Sequence, residues 1–207
     1  MNEIIKLSAT LTLIAAVATS VLGFAHQITK QPIEEAGLRQ TAESLKLILP
    51  EFDNAPSKES KLIEVEGSKC KCLPAKQGEK LIGIAVEAAA QGFGGDVKIL
   101  VGFNAESDKI IKVIVSDHKE TPGLGTAATN RVKQKTIFDF FSSEKEDAGL
   151  APSKFLDQFD NKTAQLGTTL EIGRVDAISG ATISSKAVTN ALALASKAYE
   201  KYKSEVN

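Results

Sequence analysis

The nineteen residues from Leu7 to Ala25 carry no formal charge, and no other feature constrains the chain as strongly. As a helix rising about 1.5 Å per residue, the run spans roughly 28 Å, the thickness of a bilayer core. Five Ser and Thr residues in it make the span a modest one. Two readings fit: an uncleaved N-terminal anchor, or a secretory signal cut near Gly23-Phe24-Ala25. The run is long for the central region of a signal peptide, so a single-pass anchor in the cell (inner) membrane is expected. No cysteine lies near it, which excludes a lipidated N-terminal cysteine. Lys6 precedes the run while Lys30 and Arg39 follow it, so the Lys/Arg bias does not set orientation. A long domain is translocated largely regardless of its charge, and residues beyond the run are expected on the extracytoplasmic side.

Charge and composition remove several classes of function. The 207 residues include 25 Lys+Arg and 26 Asp+Glu. Setting aside residues 1–30 removes two basic residues and one acidic residue, leaving a net charge of −2. That near-neutral remainder has no general attraction for nucleic acid or anionic lipid. Only two His and two Cys are present, and His26, His118, Cys70 and Cys72 are badly spaced for a zinc site. Cys70 and Cys72 stand too close to bridge without strain, and read as strand or surface thiols.

Patterning beyond the anchor predicts an α+β fold: one domain with a mainly antiparallel sheet and flanking helices. Pro32 to Leu49 reads as a helix, with Pro32 and two Glu in its first turn and Pro50 ending it. Asn54 to Ser60 reads as a polar loop. Leu81–Ala88, Val97–Phe103 and Ile110–Val115 read as strands rich in Val, Ile and Leu. Their short connections, Gly92-Phe93-Gly94-Gly95 and 104–108, imply antiparallel neighbours. A short helix is expected over 133–141, irregular chain over 142–162, and a strand within 170–178. Ile183 to Lys203 is the strongest helix, with Ile183, Ala187, Ala191, Leu194, Ala195, Ala198 and Tyr202 in one apolar stripe. The expected organisation is an anchor over 1–30, a juxtamembrane helix and loop over 31–60, and a domain over 61–207.

Chemistry concentrates between the last strand and the last helix. Asp176-Ala177-Ile178-Ser179-Gly180-Ala181-Thr182-Ile183-Ser184-Ser185 enters the helix through a glycine turn. A helix start exposes backbone N–H groups and suits a phosphate. The plainer reading is that Ser179, Thr182 or Ser184 caps the helix. A second stretch, Glu120-Thr121-Pro122-Gly123-Leu124-Gly125, is a tight turn whose glycines let backbone amides approach a ligand, with Leu124 able to cover an apolar face. Residues 123–128 match a dinucleotide fingerprint formally, but no βαβ unit surrounds them. No P-loop, nucleophile elbow or H-E-x-x-H is present.

Asp176 to Thr182 resembles the flavinylation motif of the FMN-binding domain family, Asp-x-x-(Ser/Thr)-Gly-Ala-(Ser/Thr). Glu120 to Gly125 resembles the Glu-Thr-Pro-Gly-Leu-Gly loop of the same family, and Gly92 to Asp96 fits its glycine-rich turn. The resemblance covers about residues 30–205 together with the anchor. The anchor and compact length are most similar to the G subunits of Rnf-type complexes; the C subunits of sodium-pumping NADH:quinone reductases share the motif but are usually longer. The resemblance implies FMN held covalently by a phosphoester to Thr182 and attached by a flavin transferase. It implies a binding site drawn from Asp176, Ser179, Gly180, Ala181, Ser184 and Ser185, with Glu120, Thr121, Gly123, Leu124 and Gly125 against the flavin. The implied role is electron transfer within a ferredoxin- and NAD-linked ion-translocating complex, beside other membrane subunits and without nucleic acid. The isolated chain is expected to have no turnover. The alternatives are a quinone-reductase subunit and a non-redox, membrane-tethered binding or assembly domain.

Overall fold

The computed structural model describes residues 2–129, 131, 150–164 and 175–206. The chain divides into two compact units, Met1–Ala42 and Glu43–Asn207. Helix α1 runs from Asn2 to Ile48 without interruption. Its stretch from Glu3 to Lys30 is long and apolar enough to cross a membrane, and its large apolar side chains are exposed. The helix expected to begin at Pro32 is therefore continuous with the anchor. Proline removes one backbone bond from the ladder, and the turns on either side keep theirs. The helix ends just before Pro50, where the ring blocks the helical conformation of the residue ahead of it.

Five strands form one antiparallel meander: β1 Lys61–Val65, β2 Ser68–Gln77, β3 Lys80–Gln91, β4 Asp96–Asn104 and β5 Lys109–Asp117. The expected strands are β3 to β5, each slightly longer than its apolar run, in register with Val86 opposite Val101 and Val101 opposite Val113. The pattern did not reveal β1 or β2. Lysines alternate with the buried positions of β2, and Pro74 lies within it. A proline is tolerated there because β1 pairs with β2 only as far as Cys72. Past that point Asp53 and Asn54 cover the open edge: the Asp53 amide donates to the Lys76 carbonyl, and Asn54 bonds Pro74 O and Lys76 N.

Helix α3, Thr182–Val206, packs across one face of the sheet. Its Ala187, Val188, Ala191, Leu192, Ala195 and Ala198 meet Cys70, Cys72, Ile84, Val86, Val97, Ile99, Val101 and Phe103 in one core. Full burial of each large aliphatic side chain contributes about 1.5–3 kcal/mol. Small residues on the α3 stripe bring its backbone close to β2, so that the Cys70 and Cys72 thiols reach the Leu194 and Ala198 carbonyls. Both cysteines are free and buried. Tyr199 stacks on Phe103 with centroids 4.5 Å apart and donates its hydroxyl to Asp108.

The other face of the sheet uses the alternate residues. Leu73, Ala75, Ala85 and Leu100 pack there with Leu45, Ile48 and Leu49 at the end of α1. The two-residue period of a strand separates these positions from the α3-facing set. Gly102 makes the docking possible, since a Cβ on it would lie 2.1 Å from the Ile48 carbonyl oxygen.

After β5 the chain forms a turn and the short helix α2, Thr126–Thr129. A single 3-10 turn, Asp157–Phe159, then packs on β5. An ion network ties these pieces together. Arg131 donates to the Val113 and Ala151 carbonyls and reaches Asp157 at 2.6 Å. Asp157 also accepts from the Ser153 amide and pairs with Lys112, which bonds Asp160 as well. Burial pushes the Asp157 carboxyl up, but Arg131, the Ser153 amide and Lys112 outweigh it and hold the group below its ordinary 3.8. The helix expected over 133–141 lies outside the described residues, as do 142–149 of the irregular stretch and 170–174 of the strand expected over 170–178. The part of that strand that is described, Val175–Ile178, is not extended into the sheet.

Candidate functional site

Three stretches far apart in sequence enclose one cavity of about 310 Å³. Phe93 comes from the β3–β4 turn, Glu120, Thr121, Leu124 and Gly125 from the loop after β5, and Gly180 to Ser184 from the entry to α3. The lining is mainly apolar, and Phe93, Leu124 and Ile183 stand exposed around it.

The α3 entry is shaped by local bonds. Gly180 has φ +79°, a left-handed conformation that costs glycine nothing. Ala181 N donates to Ile178 O, and the first bond of the helix runs from Ser185 N to Ala181 O at 2.9 Å. The amides of Thr182, Ile183 and Ser184 therefore head the helix at its positive end. The Ser185 hydroxyl accepts the Ile178 amide at 3.2 Å, and the Asp176 amide donates to Gln158 Oε1 at 3.0 Å.

The capping reading does not hold at these positions. The Ser184 hydroxyl points away from the helix start and donates to Glu120 Oε2 at 2.5 Å. The Thr182 and Ser179 hydroxyls have no hydrogen-bond partner among the described residues, and Thr182 is exposed. Thr182 thus presents a free hydroxyl beside unpaired helix amides, in the wall of an apolar cavity.

The loop after β5 is a compact turn. Leu124 N and Thr126 N both donate to Thr121 O, and Gly123 N donates to Thr126 Oγ1. Glu120 is buried at 5% exposure. Its Oε1 accepts the Phe93 amide at 2.9 Å and the Gly94 amide at 3.3 Å. Gly94 permits this approach, because a Cβ there would lie 1.9 Å from the Lys119 carbonyl oxygen.

Of the residues anticipated from the motifs, Thr182, Gly180, Ala181, Ser184, Glu120, Thr121, Leu124 and Gly125 line the cavity. Asp176, Ser179, Ser185 and Gly123 do not line it; of these, Asp176, Ser185 and Gly123 hold the loops that shape it. Phe93 and Ile183 line it without having been anticipated. Ile183 was expected in the core stripe, yet it is 52% exposed at the cavity. It sits in the first turn of α3, in the cavity wall. The one available signal for Phe93 was a large apolar residue set among turn glycines.

The features present suit a flavin mononucleotide: a free hydroxyl and helix amides for a phosphate, an apolar wall for a ring, and glycines where backbones close on the space. Among the described residues no group of three His, Cys, Asp or Glu could hold a metal ion. Fold and site together define a flavin-binding domain of the kind that follows a single N-terminal apolar helix. The comparisons agree: the FMN-binding domain family matches residues 92–197, and the RnfG N-terminal region matches residues 1–48.

Relatives match nearly end to end. The G subunit of an ion-translocating oxidoreductase complex from Aliivibrio fischeri is 31% identical, covering 97% of this chain and 92% of the relative. Its counterpart from Methanosarcina acetivorans is 29% identical, covering 92% of each. The G subunit of a Na(+)-translocating ferredoxin:NAD(+) oxidoreductase complex from Acetobacterium woodii is 27% identical over 95% of this chain and 92% of the relative. The chain belongs to the family of G subunits of ion-translocating oxidoreductase complexes, the Rnf type, and carries that family's FMN-binding domain.

Proposed function

We propose that this chain is the flavin-carrying subunit of an Rnf-type complex, with FMN joined to Thr182 by a phosphoester. The observation that carries the reading is the free, exposed Thr182 hydroxyl at the head of α3, in the cavity wall. Ser184 and Ser185 are buried and their hydroxyls engaged, and Ser179, whose hydroxyl is also free, does not line the cavity, so Thr182 is the one of these four with a free hydroxyl in the cavity wall. A flavin transferase would make the bond from a flavin dinucleotide: the donor's phosphoanhydride breaks as the Thr182 ester forms, the nucleoside monophosphate leaves and the hydroxyl proton passes to solvent, while the helix amides would hold the phosphate. Bound FMN supplies one- and two-electron redox chemistry. Phe93, Leu124 and Ile183 would offer the ring apolar contact in the cavity that the loop after β5 also lines.

Residues 1–30 would serve as the anchor, 31–60 as the juxtamembrane segment and 61–207 as the FMN-binding domain. Electrons would pass between neighbouring subunits of a ferredoxin- and NAD-linked ion pump. The domain would lie on the extracytoplasmic side, where a covalent bond keeps FMN from being lost. The chain alone would show no turnover with NADH, since among the described residues the sheet is wholly antiparallel and offers no dinucleotide-binding βαβ unit.

The test is production of the full chain with and without a flavin transferase, followed by denaturation, in-gel fluorescence and peptide mass mapping. Flavin on the peptide holding Thr182, and none in Thr182→Ala, is the expected result. Flavin on the variant polypeptide, or a bare wild-type peptide from a transferase-competent host, refutes the reading. The second outcome would favour a tethered binding domain.

A further inference from the structure

The Glu120 carboxylate joins the three stretches that make the cavity. Its Oε1 holds the Phe93 and Gly94 amides, its Oε2 holds the Ser184 hydroxyl, and its backbone belongs to the loop after β5. We propose that Glu120 is a positioning residue that assembles the flavin cavity before any flavin arrives and leaves a fixed negative charge in its wall, lowering the midpoint potential of the flavin. The proposal rests on the FMN reading above.

Both oxygens serve as acceptors, the role of an ionised carboxylate. Protein packs tightly around them. A Cβ on Gly92 would lie 2.3 Å from Oε1, and one on Gly125 would lie 2.4 Å from Oε2 and 2.8 Å from Ser184 Oγ. With so little solvent around the carboxylate, its field reaches the cavity with weak screening. A negative charge beside a ring that gains electrons disfavours the reduced form, which lowers the potential. The same clasp sets which hydroxyl is open. The Ser184 hydroxyl donates a hydrogen bond to Glu120, while that of Thr182, two residues earlier, makes no such bond.

Two substitutions separate clasp from charge. Glu120→Gln keeps the size and one acceptor oxygen for the two amides, and its NH2 can donate to Ser184. Glu120→Ala removes the clasp. The full chain is made in detergent with and without the transferase. Three properties are read: flavin incorporated in a fixed time, hydrogen exchange at Phe93 and Gly94 in the flavin-free protein, and the midpoint potential by spectroelectrochemical titration. E120Q is expected to keep most of its labelling, reduced less than that of E120A, with a midpoint potential shifted positive. E120A is expected to label at least tenfold less, with faster exchange at both amides. If E120A does not fold, Ser184→Ala removes one of the three bonds and is expected to label more slowly.

An unchanged potential in E120Q overturns the charge effect, and loss of its labelling overturns the argument that contacts alone suffice. Wild-type labelling and exchange in E120A, or wild-type labelling in S184A, overturns the clasp. If the wild-type chain takes no flavin, the FMN reading fails instead. The exchange comparison needs no flavin and still decides the clasp.

Discussion

Gly94→Ala places a single methyl group where the structure has no space for one. The new Cβ would sit 1.9 Å from the Lys119 carbonyl oxygen and 2.7 Å from its carbon. Even close carbon–oxygen contacts lie at about 3.3 Å, so relief needs a movement of roughly 1.4 Å. The opposing atoms are backbone, and rotating a side chain cannot absorb the shift. The turn must move away from Lys119 and Glu120, and the bonds from Phe93 N and Gly94 N to Oε1, now 2.9 and 3.3 Å, open. Overpacking costs about 1–3 kcal/mol, and a hydrogen bond to a charged acceptor contributes about 1.5–3 kcal/mol. With partial relaxation, a loss of about 3 kcal/mol follows, or roughly 6–12 °C in Tm for a domain of this size. Gly94 has no positive φ, so alanine adds no backbone strain and the effect is steric. Gly123→Ala is the matched control. Gly123 has φ +81° and nothing within 4 Å of a Cβ, so only conformational strain of about 1 kcal/mol is expected. Thermal unfolding of both full-length variants in the same detergent tests the comparison. A Gly94→Ala protein that melts within a degree or so of wild type, or no lower than Gly123→Ala, refutes the steric argument.

Three further outcomes are expected. Thr182→Ser keeps a hydroxyl at the same place and retains part of the flavin labelling; a folded but wholly unlabelled variant would show that more than a hydroxyl is required. Asp157→Asn destabilises the protein by about 2 kcal/mol at neutral pH through its bonds to Arg131 and Lys112. Because the folded carboxyl lies below 3.8, that difference is fully present above the ordinary value and fades as pH falls through the lowered one. Denaturant titrations of both proteins across acid pH check the trend, and a gap that widens on acidification contradicts it. Cys70 and Cys72 react with a thiol reagent on the order of 100-fold more slowly folded than unfolded. Burial, with the Cys70 thiol adding, pushes Cys72 up to about 12, and burial raises Cys70 too. Stopped-flow labelling with and without denaturant measures the ratio, and fast native labelling would place the thiols at the surface.

Strands β3 to β5 and helix α3 were legible because each carries its signal locally. Their apolar residues recur at strand or helix spacing, and glycine or polar turns mark the ends. Strands β1 and β2 were not legible, because their lysines and Pro74 obey a rule that depends on what lies alongside. An edge strand covering only part of β2 leaves Pro74 free of a ladder bond, and no local pattern reports that. The helix expected to start at Pro32 shows the opposite case. A proline that reads as a beginning sits inside Asn2–Ile48, where the intact neighbouring turns tolerate one missing bond.

The sequence by itself determined a membrane-length apolar helix, an α+β domain and two motifs whose residues could meet a flavin. It determined these because hydrophobic period, turn chemistry and motif spacing are properties of neighbours along the chain. Only the tertiary structure decided what those residues do. It turned Ile183 from the core to the cavity, engaged Ser184 while leaving Thr182 free, and made Glu120 a common acceptor for partners 27 and 64 residues away. Burial and hydrogen-bond partnership are set by contacts between distant segments. Those contacts exist only once α3 has packed against the sheet and drawn the three loops to one end.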